Sequence, residues 1–120
     1  MKKFLIVEDE LIPAYVLKTS LVQMGYQTVG LAADGEEALR TVQSLQPDLV
    51  FIDLRIEGTL DGFQTLEQLR RFSDIPVVYV GGYTDPETEH RAAQTQCVRL
   101  VTKPFDPRQL KEVIAHLRTV

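Results

Sequence analysis

A short, continuous run of apolar residues that ends on a carboxylate constrains this chain more than any other feature. The run is Leu49-Val50-Phe51-Ile52, and Asp53 follows it directly. An unbroken stretch of this length, rich in β-forming residues, is typical of a strand buried on both faces of a parallel sheet. Ligands of open α/β sheets bind at the carboxyl ends of the strands. Asp53 is therefore a candidate for chemistry, although an aspartate there also serves as a turn former or helix cap.

Length and composition limit the possible classes of protein. The chain has 120 residues, 44% of them hydrophobic, which predicts one domain over residues 1–120 with a real core. Its net charge of -4 and scattered basic residues argue against direct nucleic-acid binding. No stretch has the length of a membrane span, so we expect a cytoplasmic protein without membrane contact. The single cysteine, Cys97, can form no internal disulfide and is interpreted as a small buried or half-buried residue.

Strand and helix patterns alternate five times along the chain. The predicted strands are Lys3 to Val7, Thr28 to Ala32, the run ending at Asp53, Pro76 to Val80, and Arg99 to Val101. A proline or a capping aspartate marks the start of each helix: Pro13, Asp34, Asp61, Asp85 and Asp106. Apolar residues at helical spacing predict the buried helix faces: Ala14, Leu17, Leu21 and Met24; Ala38, Leu39, Val42 and Leu45; Phe63, Leu66 and Leu69; Ala92 and Ala93; Leu110, Val113, Ile114 and Leu117. Strict alternation implies a parallel sheet with helices on both faces.

Charged residues follow three of the predicted strands. Glu8 and Asp9 follow the first, Asp53 the third and Lys103 the fifth, and these strand ends converge on one edge of a doubly wound sheet. Crowded carboxylates repel each other unless a cation is bound, and hard oxygen ligands suit Mg²⁺ or Mn²⁺. A lysine opposite the cation would neutralise an arriving phosphoryl group. Together these groups suffice for making an aspartyl phosphate on Asp53.

Each of these features has a plainer structural interpretation. Glu8, Asp9 and Glu10 could simply be acidic residues in the first turn of a helix, where the helix dipole favours negative charge. Lys103 could be an ordinary surface lysine, and Gly81-Gly82 a simple turn. The helix from Asp85 to Gln96 is mostly polar, so we expect it to be marginal and mobile. His90 and His116 have polar neighbours and are expected to face solvent.

The chain also resembles the receiver (phosphoacceptor) domain of two-component response regulators. The resemblance covers nearly all of the chain and rests on segments that occur in the receiver order: Ile6-Val7-Glu8-Asp9, Ala33-Asp34-Gly35-Glu36-Glu37-Ala38-Leu39, Pro47 through Asp53, Asp61-Gly62, Ile75-Pro76-Val77-Val78 and Lys103-Pro104-Phe105. It implies a flavodoxin-like α/β fold, a doubly wound five-stranded parallel sheet of order 2-1-3-4-5 with five helices.

The resemblance assigns roles to individual residues. It implies that Asp53 accepts phosphate from a histidine kinase or phosphotransfer protein, so the chain is a signalling domain and not an enzyme. Asp9 would bind the metal directly, Glu8 largely through water, and Arg55 through its backbone carbonyl. Lys103 would contact the phosphoryl group. A downstream effector domain or protein is implied as a partner, and so is a homodimer through the face around the polar helix.

Two positions depart from the receiver pattern. Gly81 stands where receivers usually carry Ser or Thr, and Leu100 stands where they carry an aromatic residue. The missing hydroxyl removes one hydrogen bond, worth about 1 to 3 kcal/mol. We expect Asp53 to be phosphorylated but the shape change to be weaker or to use another route, since a ligand acts only through contacts that differ between states.

Three other classes of protein are alternatives to a phosphorylated receiver. A pseudo-receiver, an interaction module that works without phosphorylation, is the main alternative because of Gly81 and Leu100. An aspartate-nucleophile phosphatase would need a second acid where Arg55 stands. A flavodoxin is disfavoured because Glu8-Asp9-Glu10 would repel the flavin phosphate.

Overall fold

Five strands alternate with five helices in the computed structural model, which describes residues 3–56, 58–81, 85–94, 99–102 and 107–118. The elements are β1 (Lys3–Val7), α1 (Leu11–Gln23), β2 (Gln27–Ala32), α2 (Gly35–Leu45), β3 (Leu49–Asp53), α3 (Gly62–Leu69), β4 (Val77–Gly81), α4 (Pro86–Gln94), β5 (Arg99–Thr102) and α5 (Pro107–Arg118). The predicted order of elements is confirmed, with small differences at the strand ends. Pro76 precedes β4, although its carbonyl still accepts a hydrogen bond from Val50 at 3.0 Å.

The strands form one parallel sheet in the order β2-β1-β3-β4-β5, as the resemblance implied. In the register of this sheet Val7 lies beside Ile52, and Asp53 lies beside Val80. Gly81 in turn lies beside Thr102, the last residue of β5. The carboxyl ends of four neighbouring strands therefore finish together at one edge of the sheet.

Two hydrophobic cores, one on each face of the sheet, hold the helices. On one face α2, α3 and α4 pack against residues such as Val7, Ile52 and Tyr79. On the other face α1 and α5 pack against Ile6 and Phe51, the neighbours of two of those residues. Because side chains alternate along a strand, each buried strand contributes side chains to both cores.

Among the described side chains, the helix faces agree with the sequence pattern except at Leu45 and Ala93, which are exposed, and at Leu39 and Met24, which are half-buried. Leu45 is 51% exposed, because it ends α2 where Gln46 adopts a left-handed conformation with φ of 46° and turns the chain away. Ala93 is exposed since it lies about 100° around α4 from the buried Ala92. Met24 is only half-buried at the end of α1.

Other predictions concern surface residues. His90 on α4 is exposed, as expected. Cys97 and the side chains of His116 and Leu117 lie outside the described residues. Among the described residues, no helix combines the length and the apolar character needed to cross a bilayer.

Helix α4 depends strongly on the cap at its amino end. Asp85 accepts a hydrogen bond from the Thr88 N–H to Oδ1 at 2.7 Å, and this bond lowers the pKa of Asp85 below its ordinary value of 3.8. The described part of α4 buries Ala92 and is otherwise mostly polar. The cap is therefore a large part of what holds this helix.

We predict that Asp85→Ala accelerates amide hydrogen exchange in residues 87–94 at neutral pH. The pKa of Asp85 is lower in the folded state than in the unfolded state. The cap therefore contributes its full stability to α4 above the ordinary pKa of Asp85, and this stability is lost as the pH falls through the lowered pKa. Hydrogen exchange read by NMR checks this, with exposed Asp74→Ala as the control. Unchanged exchange in α4 would contradict the prediction.

Candidate functional site

Asp53 is buried at the carboxyl end of the central strand β3. Its side chain is 9% exposed. The backbone N–H of Arg55 donates a hydrogen bond to its Oδ1 at 2.6 Å, and the N–H of Leu54 continues the sheet by donating to Val80 O at 3.1 Å. This hydrogen bond from the backbone N–H of Arg55 to the Asp53 carboxylate is charge-assisted, and it fixes the orientation of the Asp53 side chain.

Three consecutive acids gather where β1 ends. The carboxylate oxygens of Glu8, Asp9 and Glu10 lie within 4.8 Å of one another. The Glu10 N–H donates to Glu8 Oε1 at 3.2 Å, which turns the Glu8 carboxylate toward the start of α1. Sequence reasoning assigned Glu8 and Asp9 and passed over Glu10. The sequence signal for Glu10 is its adjacency to Glu8 and Asp9. In the structure Glu10 is the N-cap residue of α1, and its side chain makes no capping bond.

Asp53 lies outside this acidic group but shares a cleft with one of its members. A cleft of about 280 Å³ is lined by Glu8 and Asp53 together with apolar side chains that include Ile12, Pro13 and Val80. The shared cleft follows from strand alternation. Glu8 is two residues beyond Ile6 and Asp53 is two beyond Phe51, so both acids continue the face that α1 and α5 cover.

The other predicted site residues are placed to different extents. Arg55 lies in the turn after β3, and its N–H is the group bonded to Asp53. Gly81 is buried at the end of β4, and Leu100 is half-buried against the core beneath α2, α3 and α4. Lys103 follows Thr102 in the sequence and lies outside the described residues. The roles assigned to these residues stay predictions.

Helix α3 begins in direct contact with the peptide of Asp53. A Cβ built on Gly62 would lie 2.9 Å from the Asp53 carbonyl oxygen and 3.0 Å from Leu54 Cα. Asp61 and Gln64 close a capping box immediately before this point. Real Cβ atoms essentially never approach backbone atoms so closely, so only glycine fits here. The structure thus explains why the motif Asp61-Gly62 accompanies the acid.

We predict that Gly62→Ala displaces α3 and lowers the free energy of unfolding by about 1 to 3 kcal/mol, as overpacking typically does. The urea midpoint checks the stability, and the amide signals of residues 53–55 report the displacement. Gly30→Ala is the matched control, because a Cβ at Gly30 would meet nothing within 4 Å. Equal urea midpoints for the two variants would contradict this account of Gly62.

Fold and site together define a doubly wound α/β protein with carboxylates gathered at the carboxyl edge of its sheet. The sequence matches the model of the response regulator receiver domain over residues 4–115. The chain therefore belongs to the receiver domain family of the response regulators of two-component systems. These domains act in signal transduction.

Individual relatives and structures agree with this family. "Probable transcriptional regulator ycf27" of Cyanophora paradoxa is 37% identical over 116 residues, which is 97% of this chain and 48% of that protein. "Transcriptional regulatory protein BaeR" of Escherichia coli is 33% identical over 118 residues, or 98% of this chain and 47% of that protein. The signal receiver domain of a modulated diguanylate cyclase from Desulfovibrio desulfuricans has a TM-score of 0.89 at 31% identity, covering 97% of this chain and 92% of that one. The chain spans about half the length of the curated relatives it matches.

Proposed function

We propose that this receiver domain accepts a phosphoryl group on Asp53 in a reaction that depends on Mg²⁺ or Mn²⁺. The observation that carries the proposal is the cleft that Asp53 shares with Glu8, a member of the acidic group after β1. A buried carboxylate held by a backbone N–H beside other acids is costly unless a cation or a reacting group compensates the charge. The arrangement is better suited to chemistry than to fold stability.

The residues present fit a divalent cation. The carboxylate oxygens of Glu8, Asp9 and Glu10 lie within 4.8 Å of one another and can share one hard ion. When bound, such an ion would offset the negative charge of a phosphoryl group. We propose Asp9 and Asp53 as direct ligands, Glu8 as a ligand largely through water, and the Arg55 carbonyl as the backbone ligand. Glu10 is an additional candidate since its carboxylate belongs to the same group.

Transfer of the phosphoryl group needs a nucleophile, a phosphorylated donor and a cation that pairs with the transferred group. A carboxylate oxygen of Asp53 forms a bond to phosphorus while the P–N bond of a phosphohistidine in the donor breaks, and the released imidazole takes up a proton. The Arg55 N–H holds Oδ1 and so orients the carboxylate for this attack. We propose Lys103 as the cation that pairs with the transferred group.

The pseudo-receiver remains the second candidate because of Gly81 and Leu100. Neither residue has a hydroxyl group or an aromatic ring with which to sense a phosphoryl group. An interaction module would keep the fold and the acids but would not be labelled. Labelling experiments separate the two candidates.

We predict that acetyl phosphate with Mg²⁺ adds one phosphoryl group to the wild-type chain, as read by intact mass. The gain disappears in Asp53→Asn and when the metal is chelated, because both the nucleophile and the charge compensation are needed. Asp48→Asn is the matched control, since Asp48 lies just before β3 at its opposite end and accepts a hydrogen bond from the Lys3 N–H. A gain that persists in Asp53→Asn, or no gain in the wild type, contradicts the proposal, and the latter favours the interaction module.

The exposed apolar side of α1 supports a docking surface for the phosphodonor. Leu11, Ile12, Tyr15 and Val16 are 74%, 79%, 59% and 56% exposed, respectively. Ile12 and Val16 also line the cleft that contains Asp53. Contiguous exposed apolar residues typically mark interaction sites. We propose that a histidine kinase or phosphotransfer protein binds here and reaches Asp53 through the cleft.

We predict that Ile12→Ser slows transfer from a phosphorylated histidine kinase by about tenfold or more, the cost of one apolar contact of about 1.5 kcal/mol. The kinase is the one in a panel that labels the wild type fastest. Labelling by acetyl phosphate should not change, because the acceptor chemistry is intact. Val22→Ser is the control, since Val22 is exposed on the same helix but does not line the cleft. Equal slowing with both donors, or no slowing, would contradict the docking surface.

The output of the domain is part of the same proposal. Relatives named as transcriptional regulators are about twice as long as the matched segment. We propose that this receiver acts in the cytoplasm on an effector domain or protein, without binding nucleic acid or membrane itself. A homodimer through the face around α4 is proposed with it on the ground of the family resemblance alone.

A further inference from the structure

Phe63 connects the acceptor strand to helix α4. It is the residue after Gly62, whose backbone packs against the Asp53 carbonyl. The Phe63 ring meets the Tyr79 ring edge-on, with 5.1 Å between centroids and 61° between planes. The guanidinium carbon of Arg91 on α4 lies 4.3 Å from the Phe63 ring centroid, which is the geometry of a cation–π contact. One buried side chain thus touches β4 and α4 from a position next to the acceptor.

Within the described residues, helix α4 buries little apolar surface. Ala92 is its buried residue, and Arg91 itself is exposed. A helix with so little buried apolar surface has a small free energy of local opening. The stacking of Arg91 on Phe63 is therefore one of the contacts that fix the position of α4 on the sheet.

Tyr79 occupies the space beside Leu100. The two residues are register partners on β4 and β5 and belong to the same core, and Tyr79 is fully buried. An aromatic side chain is thus supplied to this region by β4. The Tyr79 ring is already inside the core. Strand β5 itself carries no aromatic residue whose movement could report the state of Asp53.

We propose that the contact between Phe63 and Arg91 carries the state of Asp53 to α4. The inference rests on the proposed phosphorylation. Phosphorylation replaces the single negative charge of the Asp53 carboxylate by about two negative charges on the phosphoryl group, and the added charge and bulk force the turn after β3 to adjust. Gly62, in the first turn of α3, packs directly against the Asp53 peptide. When the loop after β3 adjusts, the start of α3 therefore moves with it. Phe63 then shifts against Arg91, and α4 is repositioned.

The experiment follows amide signals by NMR before and after phosphorylation with acetyl phosphate and Mg²⁺. In the wild type we expect shifts in residues 54–55 and in residues 87–94. In Arg91→Gln and in Phe63→Leu the shifts of residues 87–94 should fall at least twofold, while those of residues 54–55 stay as in the wild type. Arg108→Gln, an exposed arginine on α5, is the matched control and should behave as the wild type.

The outcomes separate this inference from the proposed function. Intact mass shows whether Asp53 is labelled in each sample. Labelled protein whose α4 signals do not shift, or shift fully in either variant, overturns the coupling and leaves the acceptor role standing. A wild type that gains no phosphoryl group overturns both. If Phe63→Leu fails to fold, Arg91→Gln decides, because an exposed side chain can be changed without disturbing the core.

Discussion

The parallel pairing of β3 between β1 and β4 is the interaction on which the rest of the structure depends. It places Ile52 beside Val7 and Asp53 beside Val80, so the acids of two strands finish at one edge. A slip of one residue in this register would turn Asp53 to the opposite face of the sheet, away from the cleft that it shares with Glu8. The two apolar cores oppose such a slip, because it would move each buried side chain of β3 into the core on the opposite face, where the packing is not shaped for it.

The same edge combines rigid and weakly held parts. Asp53 stands on a fully buried strand and is fixed by the next turn, which suits a nucleophile whose orientation matters. The first turn of α3 packs on that strand end without space, through Gly62. Helix α4, by contrast, buries little beyond Ala92. A structural change at the rigid Asp53 site should therefore displace α4 most, because the free energy needed to move this helix is small.

The sequence alone predicted much of the fold but less of the site. Alternating patterns located all five strands, whereas the strand order came from the resemblance, because periodicity does not say which strands pair. The exposure of Leu45 depends on the left-handed Gln46, and the stacking of Arg91 on Phe63 depends on how two helices meet. Such tertiary geometry leaves no local signal in the chain. The proximity of Glu10 to its two neighbours was signalled only by adjacency.

A titration with Mn²⁺ followed by NMR tests most directly whether the acids after β1 and the acid after β3 serve one cation. Bound Mn²⁺ broadens the signals of nearby amides. We expect selective broadening of the amide signals of residues 8–10 and 53–55, with the signals of residues 46–48 at the opposite edge of the sheet remaining sharp. Broadening that spares residues 53–55, or that is uniform over the chain, would contradict a common cation pocket at Asp53.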